Sequence, residues 1–313
     1  MPLRIDLPEV LQRKALEAGS EGRAWLQRLP AIVDALKQDW GLTLSSQLSG
    51  GTEALVVAAT TRAGEDAVLK LVIPGLSSAS SQLRVLLTAQ GRGYVRVLQH
   101  DESRGATLLE RLGPRLSEVG LTPARQMEVL CRTLVDAWQV PPTEAFLSGK
   151  EKALSLARLI EELWSEHMTS CPRHVVETAL RYTAAREAAF TPDTSILAHG
   201  DCHADNALRV RGDDAQAFKF IDPDGIFIER GYDLGILMRE WSEDLLEGDA
   251  FTRGIKRCQQ LSMLTGVAPT AIWQWGFIER VSTGLYLQRL GLNTEATEVL
   301  DVAAAWAAHP DPF

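Results

Sequence analysis

The stretch His199-Gly-Asp-Cys-His-Ala-Asp-Asn206, followed by Phe220-Ile-Asp222-Pro, decides how this chain is read. It gathers His, Asp and Asn side chains into one short segment and adds a further Asp after an apolar run. Such a set suits a carboxylate that handles a substrate proton, with an Asn and a second Asp holding Mg²⁺. That cation takes oxygen ligands, few from protein and the rest from water and nucleotide phosphates. The chemistry implied is phosphoryl transfer from a nucleotide.

Working outward, Ser195-Ile-Leu-Ala198 is a short apolar run leading into the polar cluster, and Leu208-Arg-Val210 follows it. Arg211-Gly-Asp-Asp214 signals a turn, and Ala217-Phe-Lys-Phe-Ile221 alternates like a strand. The order is loop, strand, turn, strand, with Asp201 and Asn206 on the loop and Asp222 ending the second strand. A tight hairpin can bring Asn206 and Asp222 close enough to share a cation. Asp, Asn and Gly also make turns for their own sake, and it is their combination at this spacing that favours a site.

The N-terminal third predicts two helices, over Leu7–Leu16 and Ala24–Trp40, separated by a break from Gly19 to Gly22. Strand signals follow at Leu42–Ser45, Leu55–Thr60 and Ala67–Ile73, with a hairpin turn at Arg62–Asp66. A short helix is expected over Ser81–Gln90, and extended chain at Tyr94–Gln99 and Ala106–Glu110. After Leu112, Gly113-Pro114 breaks the chain, and the rest is mostly helical. A nucleotide-binding domain over 1–112, carrying a helical extension over 1–41, and a helical domain over 113–313 are therefore expected, with a ligand cleft between them.

Within the β-rich part, Gly50-Gly51-Thr52 offers backbone amides that phosphate oxygens can approach. Lys70 interrupts the apolar run Ala67-Val-Leu-Lys-Leu-Val72. A strand lysine can simply reach solvent; with the glycine pair upstream and the Asp/Asn cluster downstream, contact with nucleotide phosphates is the better account. The chain has no G-x-x-x-x-G-K-[ST] loop, which excludes a P-loop site.

A net charge of −9 argues against a general nucleic-acid binder and accommodates a cationic small molecule. Cys131, Cys171, Cys202 and Cys258 are scattered, forming neither a zinc motif nor a disulfide framework. With no cleavable signal and no run of about 18 apolar residues, a cytoplasmic protein is expected, with no membrane association and no obligate protein partner.

With these motifs in place, the chain resembles the aminoglycoside phosphotransferase family, nearest its branch of streptomycin 6-phosphotransferases and hydroxyurea-type antibiotic-resistance kinases. The resemblance rests on Leu48-Ser-Gly-Gly-Thr52, Ala67-Val-Leu-Lys70 and Gly91–Leu98, and most specifically on Leu108-Leu-Glu-Arg-Leu112, His199–Asn206, and Ile221–Gly225 with Tyr232-Asp-Leu-Gly235. It implies an α+β, bilobal, protein-kinase-like fold, with an N-terminal lobe of antiparallel sheet plus helices and a mostly helical C-terminal lobe. It also implies ATP, with GTP possible, and Mg²⁺ as cofactors.

By the same resemblance Asp201 matches the catalytic aspartate, and Asn206 and Asp222 the Mg²⁺ ligands. Lys70 matches the phosphate anchor, with Gly50, Gly51 and Thr52 beside the phosphates. Glu110 to Leu112 matches the adenine-binding linker. His199 shapes the catalytic loop and His203 braces it. One departure stands out. The family's lysine-pairing glutamate is replaced by Gln82, since no Glu lies between Asp66 and Glu102. Glu240, Glu243 and Asp244 are candidates to meet a cationic acceptor, and Trp241, Trp273 and Trp275 are expected in the core. The expected activity is O-phosphorylation of a streptomycin-like aminoglycoside. The alternatives are a kinase of another small hydroxylated metabolite, a non-catalytic nucleotide-binding pseudokinase, and a metal-dependent hydrolase using the alternating His and Asp residues.

Overall fold

The computed structural model describes residues 7–48, 53–75, 78–142, 146–166, 171–212 and 217–313. The chain divides into two compact units, Met1–Gly113 with Val210–Ala215, and Pro114–Arg209 with Gln216–Phe313.

The first unit opens with helices α1 (Glu9–Glu17) and α2 (Gly19–Asp39). The predicted break over Gly19–Gly22 is narrower than expected. Only Ala18 separates the helices, Gly19 turns the chain at φ +71°, and Gly22 lies within α2. Gly22 is needed there for packing, because a Cβ would stand 1.8 Å from the Ala15 carbonyl oxygen of α1.

A five-stranded antiparallel sheet follows, ordered β1-β2-β3-β5-β4. Its strands are β1 (Thr43–Gln47), β2 (Ala54–Thr60), β3 (Asp66–Val72), β4 (Val97–Asp101) and β5 (Ala106–Glu110), with α3 (Ser78–Ala89) between β3 and β4. Alternate residues Leu55, Val57 and Ala59 of β2 and Ala67, Leu69 and Leu71 of β3 turn to one face. There they share a core with Leu11 of α1 and with Trp25, Leu29, Val33 and Leu36 of α2. The period of two in the strands and of 3.6 in the helices thus meet in one apolar layer.

The second unit is helical around short strands. Its helices are α4 (Pro123–Ala137), α5 (Gly149–Glu166), α6 (Arg173–Ala189), α7 (Gly231–Arg239), α8 (Ser242–Leu246), α9 (Ala250–Thr265), α10 (Pro269–Arg289) and α11 (Asn293–Ala307). Its strands are β6 (Leu147–Ser148), β7 (Ile196–Ala198), β8 (Ala207–Arg209), β9 (Phe218–Phe220) and β10 (Ile226–Ile228). Strand β10 lies between β6 and β7, and β8 pairs with β9 as a hairpin.

Helix α10 is the hub of this unit, buried on nearly every side from Ala271 to Leu285. Its closest approach is to α7, where small residues oppose each other. A Cβ on Gly235 would fall 2.6 Å from that of Trp275, and one on Gly276 would fall 2.4 Å from that of Met238. Among the described residues, no helix is long and apolar enough to cross a membrane.

Candidate active site

In the first unit, Lys70 sits in the middle of β3, paired across the sheet with Val56 and Thr107. Its Nζ donates to Oε1 of Gln82, on α3, at 3.2 Å. The glutamine expected in place of a glutamate is therefore where it was sought, and it holds the lysine through a neutral oxygen. Glu110 closes β5, and its carboxylate accepts the Arg96 N–H at 2.7 Å, so this side chain staples β5 to the segment before β4. Leu112 is buried. Gly50, Gly51 and Thr52 lie outside the described residues.

In the second unit, the segment from His199 to Asn206 links β7 to β8, and contacts at both ends fix its path. At the start, the His199 carbonyl accepts the N–H groups of Asp224 (2.8 Å) and Gly225 (3.3 Å), just before β10. Gly200 takes φ +91°, and a Cβ there would meet the Asp224 Cβ at 2.8 Å, so only glycine fits. At the end, the Ile221 N–H donates to the Asn206 carbonyl at 2.9 Å. This extends the β8–β9 hairpin register by one pair, Asn206 opposite Ile221, with Asp222 one residue beyond at its open end. Asp222 itself has φ +55°, a conformation costly for a non-glycine residue and one that clusters at functional sites.

Two histidines order the interior of the loop. His199 Nδ1 accepts the Asp201 N–H at 3.1 Å, and its Nε2 faces the Ile221 carbonyl at 3.0 Å. An acceptor on one nitrogen and a carbonyl opposite the other select the tautomer protonated on Nε2. His199 thereby ties the loop to Ile221, just after β9. His203 Nδ1 accepts the Asp205 N–H, and its Nε2 lies 3.2 Å from Oδ2 of Asp201. Burial would lower the His203 pKa, but the Asp201 hydrogen bond and charge outweigh it and raise the value.

Asp201 is surrounded by donors. Its Oδ1 accepts from Arg239 Nη2 at 3.2 Å, and its Oδ2 accepts from His203 and from Asn206 Nδ2 at 3.3 Å. Burial pushes its pKa up. The His203 hydrogen bond and the charges of His203 and Arg239 overcome that and hold Asp201 well below the usual carboxylate range. The Asn206 amide nitrogen also donates to the Asp201 backbone oxygen at 2.9 Å, which commits the amide's nitrogen to the loop and leaves its oxygen for another partner.

A carboxylate beside an amide oxygen suits a hard cation that keeps water and phosphate oxygens as its other ligands. Among the described residues, no group of three or more His, Cys, Asp or Glu side chains is placed to hold a metal. The side-chain cage that the hydrolase alternative needs is thus not formed among them.

Two residues of the site carried no role in the sequence reading. Asp233, in the first turn of α7, is fully buried. Its Oδ1 accepts the Gly200 N–H at 2.9 Å, and its Oδ2 accepts the His199 N–H at 3.1 Å and the Trp138 indole N–H at 2.9 Å. Both of its oxygens are thus used as acceptors, and the side chain ties the start of the loop to α7 and to Trp138. The available signals were a lone Asp within the otherwise apolar run Gly231–Met238 and its place in the motif Tyr232-Asp-Leu-Gly235. Arg239, at the end of α7, reaches Asp201, Glu240 (3.2 Å) and Glu279 (3.3 Å) at once. Burial alone would lower its pKa, but the three carboxylates raise it instead.

Asp201 and Arg239 open onto a cavity of about 910 Å³ within this unit. Its wall is rich in carboxylates, among them Glu240, Glu243, Asp244 and Glu247, and also carries Lys152 and apolar residues such as Leu156 and Leu287. These candidates are not equivalent. Glu240 is engaged by Arg239, and Asp244 by Arg253 (3.1 Å) and Arg257 (2.8 Å), whereas Glu243 is exposed. Trp273 and Trp275 are buried, as expected. Trp241 departs from expectation, being half-buried and part of the cavity wall.

The sequence model of the family described as aminoglycoside/hydroxyurea antibiotic resistance kinase matches residues 39–291. A streptomycin 6-kinase of Streptomyces glaucescens is 28% identical over 278 residues, spanning 87% of this chain and 88% of its own. A streptomycin 6-kinase of Streptomyces griseus is 31% identical and covers 79% of each chain. In fold the chain is similar to protein-kinase-like phosphotransferases. One is an aminoglycoside phosphotransferase from Streptomyces rimosus solved with ADP and streptomycin, with a TM-score of 0.53 and 17% identity over 82% of this chain and 98% of that one. The chain belongs to the aminoglycoside/hydroxyurea antibiotic resistance kinase family and is a small-molecule phosphotransferase acting on a hydroxyl group.

Proposed function

We propose that the protein is an ATP- and Mg²⁺-dependent O-phosphotransferase whose acceptor is a streptomycin-like aminoglycoside, with Asp201 as the base. The observation that carries this reading is Asp201 at the wall of a cavity rich in carboxylates, on a loop whose last residue, Asn206, is bonded to Ile221, the neighbour of Asp222. The streptomycin 6-kinases among the relatives, and the ADP and streptomycin in the Streptomyces rimosus enzyme, support the donor and acceptor classes.

Lys70 would take the nucleotide phosphates, with Gln82 limiting its swing, and the Glu110–Leu112 backbone would meet the adenine edge. The oxygens of Asn206 and Asp222 would hold Mg²⁺, which when bound neutralises charge on the transferring phosphate. Asp201 receives the acceptor proton. A carboxylate offers about four lone pairs. Arg239, His203 and Asn206 occupy three, which leaves one on Oδ1 for the acceptor hydroxyl. Held this weakly basic, Asp201 suits a loose transition state in which positioning precedes proton transfer.

The test is ADP release with ATP and Mg²⁺ against streptomycin, other aminoglycosides, hydroxyurea and hydroxylated metabolites. Streptomycin-dependent turnover that falls by roughly 10²–10⁴-fold in Asp201→Ala, with nucleotide affinity nearly intact, is the expected result. Asp222→Ala should abolish Mg²⁺-dependent nucleotide binding by calorimetry. Turnover with a neutral metabolite alone would discard the aminoglycoside, and full activity in Asp201→Ala would discard the base.

A further inference from the structure

Trp241 joins α7 to α8 with φ +51° and ψ +55°, the left-handed region that a bulky side chain adopts at a cost. Such a conformation persists only where the surroundings over-determine it, and here two buried arginines do so. Arg280, fully buried, donates through Nε (3.1 Å) and Nη2 (2.8 Å) to the Met238 carbonyl, and its Nη1 reaches the Ser242 hydroxyl at 3.0 Å. Arg257, also buried, donates to the carbonyls of Glu240 (2.6 Å) and Trp241 (3.4 Å) and pairs with Asp244. The carbonyls freed by the end of α7 are thus capped by cations, and the backbone on both sides of Trp241 is pinned.

This scaffold does not serve to bury the indole. Trp241 is only half-buried and lines the cavity together with Glu240 and Glu243, while Trp273, Trp275 and Trp306 are buried. The Arg257 guanidinium stands over the indole, 5.7 Å from its centroid, so the ring already engages one cation. The part of it that lines the cavity together with Glu240 and Glu243 can meet a ring that carries guanidinium or ammonium groups through stacking and cation–π attraction.

We propose that Trp241 is a specificity-determining residue that binds the cationic ring of the acceptor, and that its left-handed backbone is the strain accepted to present the indole to the cavity. The assignment rests on the aminoglycoside reading above and adds to it the group that recognises the ring. Arg257 and Arg280 act through Trp241 as positioning residues.

Trp241→Asn and Trp241→Phe separate binding from structure, because Asn adopts left-handed backbone readily while Phe retains a ring. Calorimetric titration of the full chain with streptomycin should show at least a tenfold weaker Kd in Trp241→Asn and no more than about threefold in Trp241→Phe. In turnover, Trp241→Asn should raise the KM for streptomycin while leaving kcat and the KM for ATP within about twofold. Its melting temperature should be equal to or above that of the parent, since the strain is relieved. Unchanged streptomycin affinity in Trp241→Asn would overturn the proposal, as would the absence of streptomycin binding to the parent or a fall in melting temperature together with equal losses for both substrates. Because binding is read directly, a failure of Asp201 as the base would show in Asp201→Ala turnover and leave the Trp241 result intact.

Discussion

Replacing Asp233 by Asn changes almost no volume and tests whether one buried carboxylate holds the loop that carries Asp201. In the parent, its two oxygens accept from the N–H groups of Gly200, His199 and Trp138. An amide has only one oxygen. Its better orientation turns that oxygen to His199 and Trp138 and sets the NH₂ group against the Gly200 N–H. One buried donor is then unpaired, at about 1–3 kcal/mol. The other two bonds lose their charge assistance, at roughly 1 kcal/mol each. The expected loss is about 3–5 kcal/mol. For a unit the size of Pro114–Arg209 with Gln216–Phe313, that lowers Tm by roughly 6–20 °C.

Trp25 and Trp40 belong to the first unit and the remaining six tryptophans to the second. Thermal melting followed by tryptophan fluorescence therefore reports mainly on the unit that contains Asp233. Amide exchange at His199 and Gly200 should accelerate in parallel, and kcat should fall because Asp201 is no longer held in place. A melting temperature within about 2 °C of the parent, with unchanged exchange at those two amides, would refute the reasoning.

Gln82→Glu should convert the neutral acceptor of Lys70 into a charged one, a gain of about 1 kcal/mol. The expected sign is a lower KM for nucleotide by up to roughly fivefold, and an unchanged value in steady-state kinetics would show that Gln82 already positions the lysine fully. His203 has a raised folded-state pKa, so its contribution to stability is complete below its ordinary value of about 6.5 and is lost as pH rises through the raised value. Urea unfolding should therefore show a loss above that window in the parent that is absent in His203→Gln; identical pH dependence in the two would sink the linkage. Gly276→Ala places a Cβ 2.4 Å from that of Met238 and should destabilise the α7–α10 contact by about 1–3 kcal/mol, measured by the same denaturation.

Much of the candidate site was legible in the sequence because its residues are close in the chain. Asp201, Asn206 and Asp222 occupy one loop and one hairpin, where chain connectivity sets their proximity. Lys70 and Gln82 could be matched because they sit on consecutive elements, β3 and α3. The helices and the first unit's strands followed from periodicity, since each buries one face. Strand β10 was not read, because its three residues are all buried and show no alternation to distinguish strand from loop.

Tertiary structure alone decided the partners of the buried charges. Asp233 meets residues 33 and 34 positions earlier in the chain, and Arg239 meets Asp201 and Glu279 at separations of 38 and 40. Arg280 caps α7 across 42 residues. Charges leave water only when several partners converge on them, and that convergence depends on how α7 packs against α10 for Arg239 and Arg280, and against the loop after β7 for Asp233. The same packing moved Trp241 from an expected core position to the cavity wall. Residue type gave hydrophobicity, whereas backbone placement determined which surface the indole faces.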